Sequence, residues 1–402
     1  MTGPKILTES RRLALVLGIV QVFAWATTFY APAVITTPAA RAIGATPTAL
    51  FGGFTWALLI TGFASPQVGR HIDRTGGRGV LALGSIVMAA GMALMAAWPT
   101  LIGWYAGWTV CGLGMALGLY DAAFATVGRL LGPAARPAIV GVTLMGGFAS
   151  SLGWPMGVGL VGLVGWRVTF LLYALIQLGV NLPLILAFVP KASPQAPPAL
   201  GAETASSTPV RSRLAFVLLA TFFSLRAAIS GIVSVHALKL LQGVGLGAGA
   251  AVGVAALIGP SQVFGRVLEV AFGRRVDPLV TSWLGAALLP LGVLGLLARA
   301  PVAAFAVAYG MSNGILTISR GTLPLHLFGV RGYATRIGRL ALPVMLAQAV
   351  APTAASPLIL AWPASRVFAI MGAVAAAGML CLLPLNRLTA EARPGTRRPV
   401  TD

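Results

Sequence analysis

The sequence predicts an all-α membrane protein of about twelve transmembrane helices, arranged as two pseudo-symmetric six-helix bundles. Three observations predict it. Hydrophobic residues make up 57% of the 402-residue chain and charged residues only 9%, with a mean hydropathy of +0.90, whereas a soluble domain carries roughly a quarter charged residues. Nearly the whole chain reads as apolar runs of about 20 residues or more, the length a helix needs to cross roughly 30 Å of hydrocarbon. A pattern in the first half returns in the second. The runs lack the period-two alternation of a membrane barrel. The 50 glycines and 27 prolines fit helices of this kind, because both residues are commoner in membrane helices than in soluble ones.

Breaks at charges, Pro and Gly delimit the elements. The first six spans are expected near Leu13 to Ile35, Thr48 to Val68, Gly79 to Trp98, Leu101 to Leu131, Ala138 to Leu163 and Val168 to Val189, giving an N-terminal bundle over residues 1–189. Residues 190–213, rich in Pro, Ala, Ser and Thr, have no hydrophobic face to bury and are expected to form a cytoplasmic linker. The second six are expected near Leu214 to Leu241, Ala248 to Arg266, Pro278 to Ala298, Val302 to Phe328, Tyr333 to Leu360 and Val367 to Leu385, a C-terminal bundle over 214–386. A polar, basic tail occupies 387–402.

The net charge of +20 would suit a nucleic-acid binder, but the basic residues form no single face or tail. They alternate between helix ends. Lys5, Arg11, Arg12, Arg70, Arg74, Arg78, Arg129, Arg136, Lys191, Arg211, Arg266, Arg274, Arg275, Arg331, Arg336 and Arg393 are among those on one side, against Arg41, Arg167, Lys239, Arg299 and Arg366 on the other. An asymmetry of roughly four to one places both termini in the cytoplasm, and the plasma membrane of a bacterium, its inner membrane, is the expected location. Trp98, Trp104, Trp166 and Trp362 fall at the opposite ends, where an interfacial aromatic belt would lie. Cys111 and Cys381 lie inside apolar runs with no metal-ligand spacing. The first apolar run is too long for a signal peptide and lacks a small-residue cleavage site, so it reads as span one.

The repeat is visible in residues. Gly69-Arg70-His71-Ile72-Asp73 runs on to Gly77-Arg78 after span two, and Gly265-Arg266-Val267-Leu268-Glu269 runs on to Gly273-Arg274 after span eight. On Gly69, Asp73, Arg74, Gly77 and Arg78 the chain resembles the major facilitator superfamily, whose loop between spans two and three carries this signature. Gly265 to Arg275 is a degenerate second copy, and Gly165-Trp166-Arg167 resembles another common element of that family. The resemblance covers nearly the whole chain and implies two bundles that rock about a central substrate site. Two departures bear on the drug/proton antiporters of the family. Trp108 stands where an Arg often precedes the G-x-G of span four, here Gly112 and Gly114, and span five has only a loose Gly-Pro motif in Gly147, Gly153, Pro155 and Gly157. In residue chemistry, Gly in the loop permits close backbone approach, Asp73 can cap a neighbouring helix, and Arg can bridge to an acid. Gly69, Asp73, Arg74, Gly77, Arg78, Gly265, Arg266 and Glu269 are therefore candidates for a conformational latch; the alternative is a solvated turn that only sets topology.

Charges inside hydrocarbon cost about 2.5–3.5 kcal/mol each on insertion scales, so those that persist line a cavity or form a pair. Arg226 lies near the middle of span seven, in Phe223-Ser224-Leu225-Arg226, and either binds substrate or belongs to a structural ion pair. Arg320 shares a helical face with Thr317 and Asn313 in span ten, and either lines a wet pathway or snorkels to headgroups. Asp121 is the acid embedded deepest, and either carries a coupling proton or is a structural acid on a face of small residues, Gly114, Gly118, Ala125 and Gly128. Gln21, Trp25 and Thr28 share a face of span one and either bind solute or bridge helices; Gln348 in span eleven is a weaker candidate.

No metal-spaced cluster, catalytic triad or phosphate loop is present in the sequence, so an enzyme, a bound cofactor and ATP-driven pumping are not expected. Arg226 and Arg320 against Asp121 make a net positive pocket. The expected function is secondary transport of a small, anionic organic solute by alternating access, open to coupling with protons. The alternative is proton-antiport efflux of a hydrophobic or cationic toxin, and a transporter-like receptor is a third class. The expected partners are a small-molecule substrate and the lipid bilayer, with protons one candidate coupling ion and no nucleic acid, and the chain is expected to work as a monomer.

Overall fold

The structure, a computed structural model, describes residues 3–192, 209–272 and 276–390. Most of the expected linker, Gly273, Arg274 and Arg275 of the second loop copy, and the tail beyond Ala390 therefore lie outside the described residues, as do the side chains of Lys5 and Arg211. Span one is α1 (Gly3–Thr27) followed by α2 (Pro32–Ile43), and spans two and three are α3 (Pro47–Thr75) and α4 (Arg78–Ala97). Span four is split into α5 (Leu101–Gly118) and α6 (Tyr120–Leu131) by Leu119, which is extended at φ −84°, ψ −171°. Span five starts as α7 (Arg136–Gly146) and continues into α8 (Ala149–Ile176), which turns a corner at Gly165, φ 77°, ψ 166°, into span six. That backbone conformation is open to Gly and closed to almost every other residue. Span six passes through a π turn at Gln177–Asn181 into α9 (Leu182–Phe188). Pro183 donates no hydrogen bond and its ring displaces the carbonyl one turn back, so the widened turn takes up the misfit.

The second half holds α10 (Pro209–Gly243), α11 (Ala248–Ala256) with α12 (Ile258–Phe272), α13 (Pro278–Leu297), α14 (Val302–Phe328), α15 (Tyr333–Ala361) and α16 (Ala364–Leu380) with α17 (Leu383–Ala390). Helix α10 begins before Leu214, so the end of the expected linker is helical. Ten apolar helical stretches among the described residues are long enough to cross a bilayer. One of them, Leu101–Phe188, is 88 residues long and is divided at Gly132–Ala135 and at Gly165, so the ten stretches amount to twelve spans.

The halves meet along α3 and α15, and where α6 and α7 pack on α12, α14 and α15. Small residues permit this approach. A Cβ on Gly69 would overlap the Ala334 carbonyl, and one on Gly338 would overlap the Ser65 carbonyl, so bare backbone meets bare backbone as in other tightly crossed membrane helices. These contacts run from mid-helix, where Gly62 faces Leu342 and Met345, to the end that carries both termini. The pairings across the seam use α3, α6 and α7 from the first half, while α1 and α10 share no extensive packing among the described residues.

Within the first half, Trp104, Trp108, Phe170 and Tyr173 are each no more than 1% exposed and form one chain of edge-to-face contacts with Trp166. Two tryptophans of the expected interfacial belt, Trp104 and Trp166, are therefore core residues. Burying their rings against one another outweighs the interface preference. The Trp104 indole also donates to the Leu50 carbonyl at 2.7 Å. Trp98 and Trp362 remain exposed.

Candidate functional site

The deepest polar contact between the halves is an ion pair. Asp121 Oδ2 accepts from Arg320 Nη2 at 2.7 Å, with the side chains 16% and 17% exposed. The break at Leu119 explains the position of the acid. Because α6 starts afresh at Tyr120, Asp121 stands in its first turn, where free backbone N–H groups and the helix dipole favour a carboxylate. The pairing is single-stranded, since Asp121 Oδ1 and Arg320 Nε have no partner among the described residues. Asp121 thus faces the opposite half.

Around this pair stands a basic cluster. Arg226 Nη2 donates to the side-chain oxygen of Asn313 and, at 3.2 Å, to its main-chain carbonyl. Thr317 donates to the same carbonyl at 2.6 Å. Asn313, Thr317 and Arg320 on α14 thus share one face, which meets Arg226 and Asp121. Tyr309, one turn before Asn313, reaches Ser230 at 3.4 Å and shares the field of Arg226.

Arg266 is the largest departure from the sequence reading. Assigned there to a latch at the helix end, it is 5% exposed and turned inward, against Gly147 of span five. A Cβ at Gly147 would overlap its Nη1, so the bare glycine is what admits the guanidinium. Its charge acts on Tyr30, Tyr120 and Arg226. Nε and Nη1 have no partner among the described residues. Its repeat counterpart, Arg70, is exposed. The local signal was present in α12, where Ser261, Gly265, Arg266 and Glu269 are the buried residues of an otherwise lipid-facing helix.

The other loop residues hold the termini end together. Asp73 accepts from the backbone N–H of Ala334 at 3.3 Å and of Thr335 at 2.8 Å, and from the Thr335 hydroxyl at 2.5 Å. It thereby caps α15 of the opposite half from outside that helix. Glu269 does the reciprocal thing in the repeat, meeting Arg136 at the start of α7 at 3.5 Å. Arg136 also donates to the Val276 carbonyl at 3.1 Å, and was counted in the sequence only as a topology charge. Arg78 donates to the Leu186 carbonyl within its own half, while Arg74 is exposed. A side chain at Gly77 would overlap Thr126, and one at Gly265 would press on Met311.

The polar face of span one is corrected. Gln21 and Thr28 are both 0% exposed and bonded inside the first half, Gln21 to the Gly118 carbonyl at 2.8 Å and Thr28 to that of Ala24 at 2.6 Å. Of the two readings, the structure shows the bridging one, within the first half. Trp25 donates to Gln21 at 3.1 Å and packs on Tyr120 with ring centroids 5.0 Å apart. Gln348 is half-buried, its main chain beside Gly231 within the second half.

Twelve apolar spans in two halves, with ionised groups collected at the seam, define a membrane transporter. The sequence profile of the Major Facilitator Superfamily matches residues 16–270. The chain belongs to that superfamily. Its fold is similar to that of the human organic anion transporter MFSD10 (TETRAN), with a TM-score of 0.70 at 17% identity over 93% of this chain and 99% of that one. It is also similar to the proton:xylose symporter XylE bound to 6-bromo-6-deoxy-D-glucose, with a TM-score of 0.67 at 14% identity over 96% and 99%. Comparison with curated proteins finds none that matches.

Proposed function

We propose that this transporter moves a small organic anion by alternating access, with the site between the halves built on Arg226, Arg266 and Arg320. The observation that carries the reading is electrostatic. Three guanidiniums from α10, α12 and α14 share one field, and among the described residues one carboxylate, that of Asp121, pairs with any of the three. In a medium of low dielectric such an excess of positive charge favours an anion and repels a cation. Efflux of a cationic toxin would meet this charge as a barrier. MFSD10 is described as an organic anion transporter, which agrees with the reading at the level of fold alone.

Asp73 with α15, and Glu269 with Arg136, act in this reading as the two halves of a latch at the end that carries the termini, which the charge asymmetry assigns to the cytoplasm. Asn313 and Thr317 hold Arg226 in place. The test is flux into sealed proteoliposomes of a panel of labelled small carboxylates and of a lipophilic cation. Carboxylate uptake that is lost in Arg226→Ala, with the variant melting as the wild type does, supports the proposal. Cation flux without carboxylate flux, or unaltered uptake in Arg226→Ala, overturns it, and binding without flux would make the chain a receptor.

A further inference from the structure

We infer that the substrate is a dianion whose two acidic groups are taken separately by Arg226 and Arg266, a refinement that rests on the anion reading above. The inference comes from counting which charges are already met. Arg320 has the Asp121 carboxylate at 2.7 Å. Arg226 is bonded to a neutral amide and a main-chain carbonyl, both of Asn313. Arg266, 5% exposed, has two N–H groups with no acceptor among the described residues. Among the described residues, two guanidiniums therefore stand without a paired carboxylate, near enough to act on each other. A monoanion would neutralise one and leave the other buried and repelled; a dianion neutralises both.

The surroundings favour two separate carboxylates over one compact doubly charged group. Arg226 is carried by α10 and Arg266 by α12, and each offers its own planar fork of donors suited to a carboxylate. Beside Arg266 the Tyr30 hydroxyl meets Ser150, and Tyr120 lies in the same field, so neutral hydroxyls are at hand to complete an acid's hydrogen bonds. The Trp25 and Tyr120 rings supply an apolar wall for a short carbon chain.

The experiment uses the purified full chain in detergent, with binding of succinate, glutarate, butyrate and inorganic phosphate measured by calorimetry. The expected result is that succinate or glutarate binds at least tenfold more tightly than butyrate or phosphate. Arg266→Lys, which keeps the charge and loses the fork, and Gly147→Ala, which displaces the guanidinium, should each erase that preference, with melting of the unliganded variants reporting that they fold. Butyrate binding as tightly as the dicarboxylates overturns the dianion and leaves the anion reading standing. A preference for phosphate overturns the bridging of two groups. A dicarboxylate preference that survives both variants removes Arg266 from the site, and binding of none of the four would sink this inference and the anion reading together.

Discussion

The carboxylate of Asp121 and the guanidinium of Arg320 meet at 2.7 Å, although they are 199 residues apart and occupy corresponding places in the two repeats. Each lies in the span that the repeat makes its partner's equivalent. In the proposed alternating-access cycle the pair would serve as a pivot, with the two latch contacts made and broken as the halves rock.

Removing one member of the pivot leaves a charge buried without its partner. Arg320→Ala and Asp121→Ala should each destabilise the protein by about 3 kcal/mol. The double variant Asp121→Asn/Arg320→Gln, which removes both charges, should recover at least half of that loss. Thermal unfolding of the three variants in one detergent measures this. A double variant no better than the worse single one would show that the pair carries no coupling.

The two latches should act on conformation and not on affinity. Asp73→Ala removes three hydrogen bonds to α15, a cap whose loss costs about 1–2 kcal/mol. That should raise the population opened at the termini end by roughly five- to thirty-fold. Glu269→Gln should do the same to a smaller extent through Arg136. Since the two contacts lie on different helix pairs, their effects should add. Alkylation rates of a cysteine placed at Ile139, which is buried against Gly321 of the opposite half, give the population directly.

Asn313 offers a subtler test of the site's sign. Asn313→Asp keeps the shape of the group that receives Arg226 and adds a negative charge beside it. Anion affinity should fall by about tenfold or more, because about 1.4 kcal/mol of lost attraction suffices for a factor of ten. Asn313→Ser, which is neutral, should lose far less. Equal losses in the two variants would mean that Asn313 acts through shape and that charge does not select the substrate.

Gln21 should behave as a structural residue. Its amide bridges span one to the Gly118 carbonyl just before the break at Leu119. Gln21→Leu should lower stability by about 1–3 kcal/mol through the unsatisfied carbonyl, while KM for the transported anion stays within twofold. A selective rise in KM with stability intact would return Gln21 to the substrate site.

Much of the fold is legible in the residues because hydrocarbon leaves few options. A helix must be apolar for about 20 residues to cross it, and basic loops mark which ends share a side. Equivalent positions follow from the repeat, which relates Asp121 to Arg320, 199 residues further on. Facing is harder to read. The 3.6-residue period groups Gln21, Trp25 and Thr28 on one side of α1 but carries no information on whether that side meets the cleft or another helix of the same half. Arg266 was hidden for a different reason. Its sequence neighbourhood copies that of Arg70, and the copy predicts an exposed loop residue. What turns it inward is the absence of a side chain at Gly147, more than a hundred positions away. Tryptophans mislead similarly, since an indole near a helix end serves an interface or a core equally well, and Trp104 and Trp166 serve a core.

Distances across both ends of the bundle test the account most directly. Spin labels at the exposed positions Arg70 and Arg331 report on the termini end, and labels at Arg41 and Lys239 on the far end. Double electron–electron resonance with and without a saturating transported anion should show the first distance lengthening in a fraction of molecules as the second shortens in the same fraction. Two distances that stay fixed while anion is bound, or that grow and shrink together, would contradict a pocket that opens to one face of the membrane at a time.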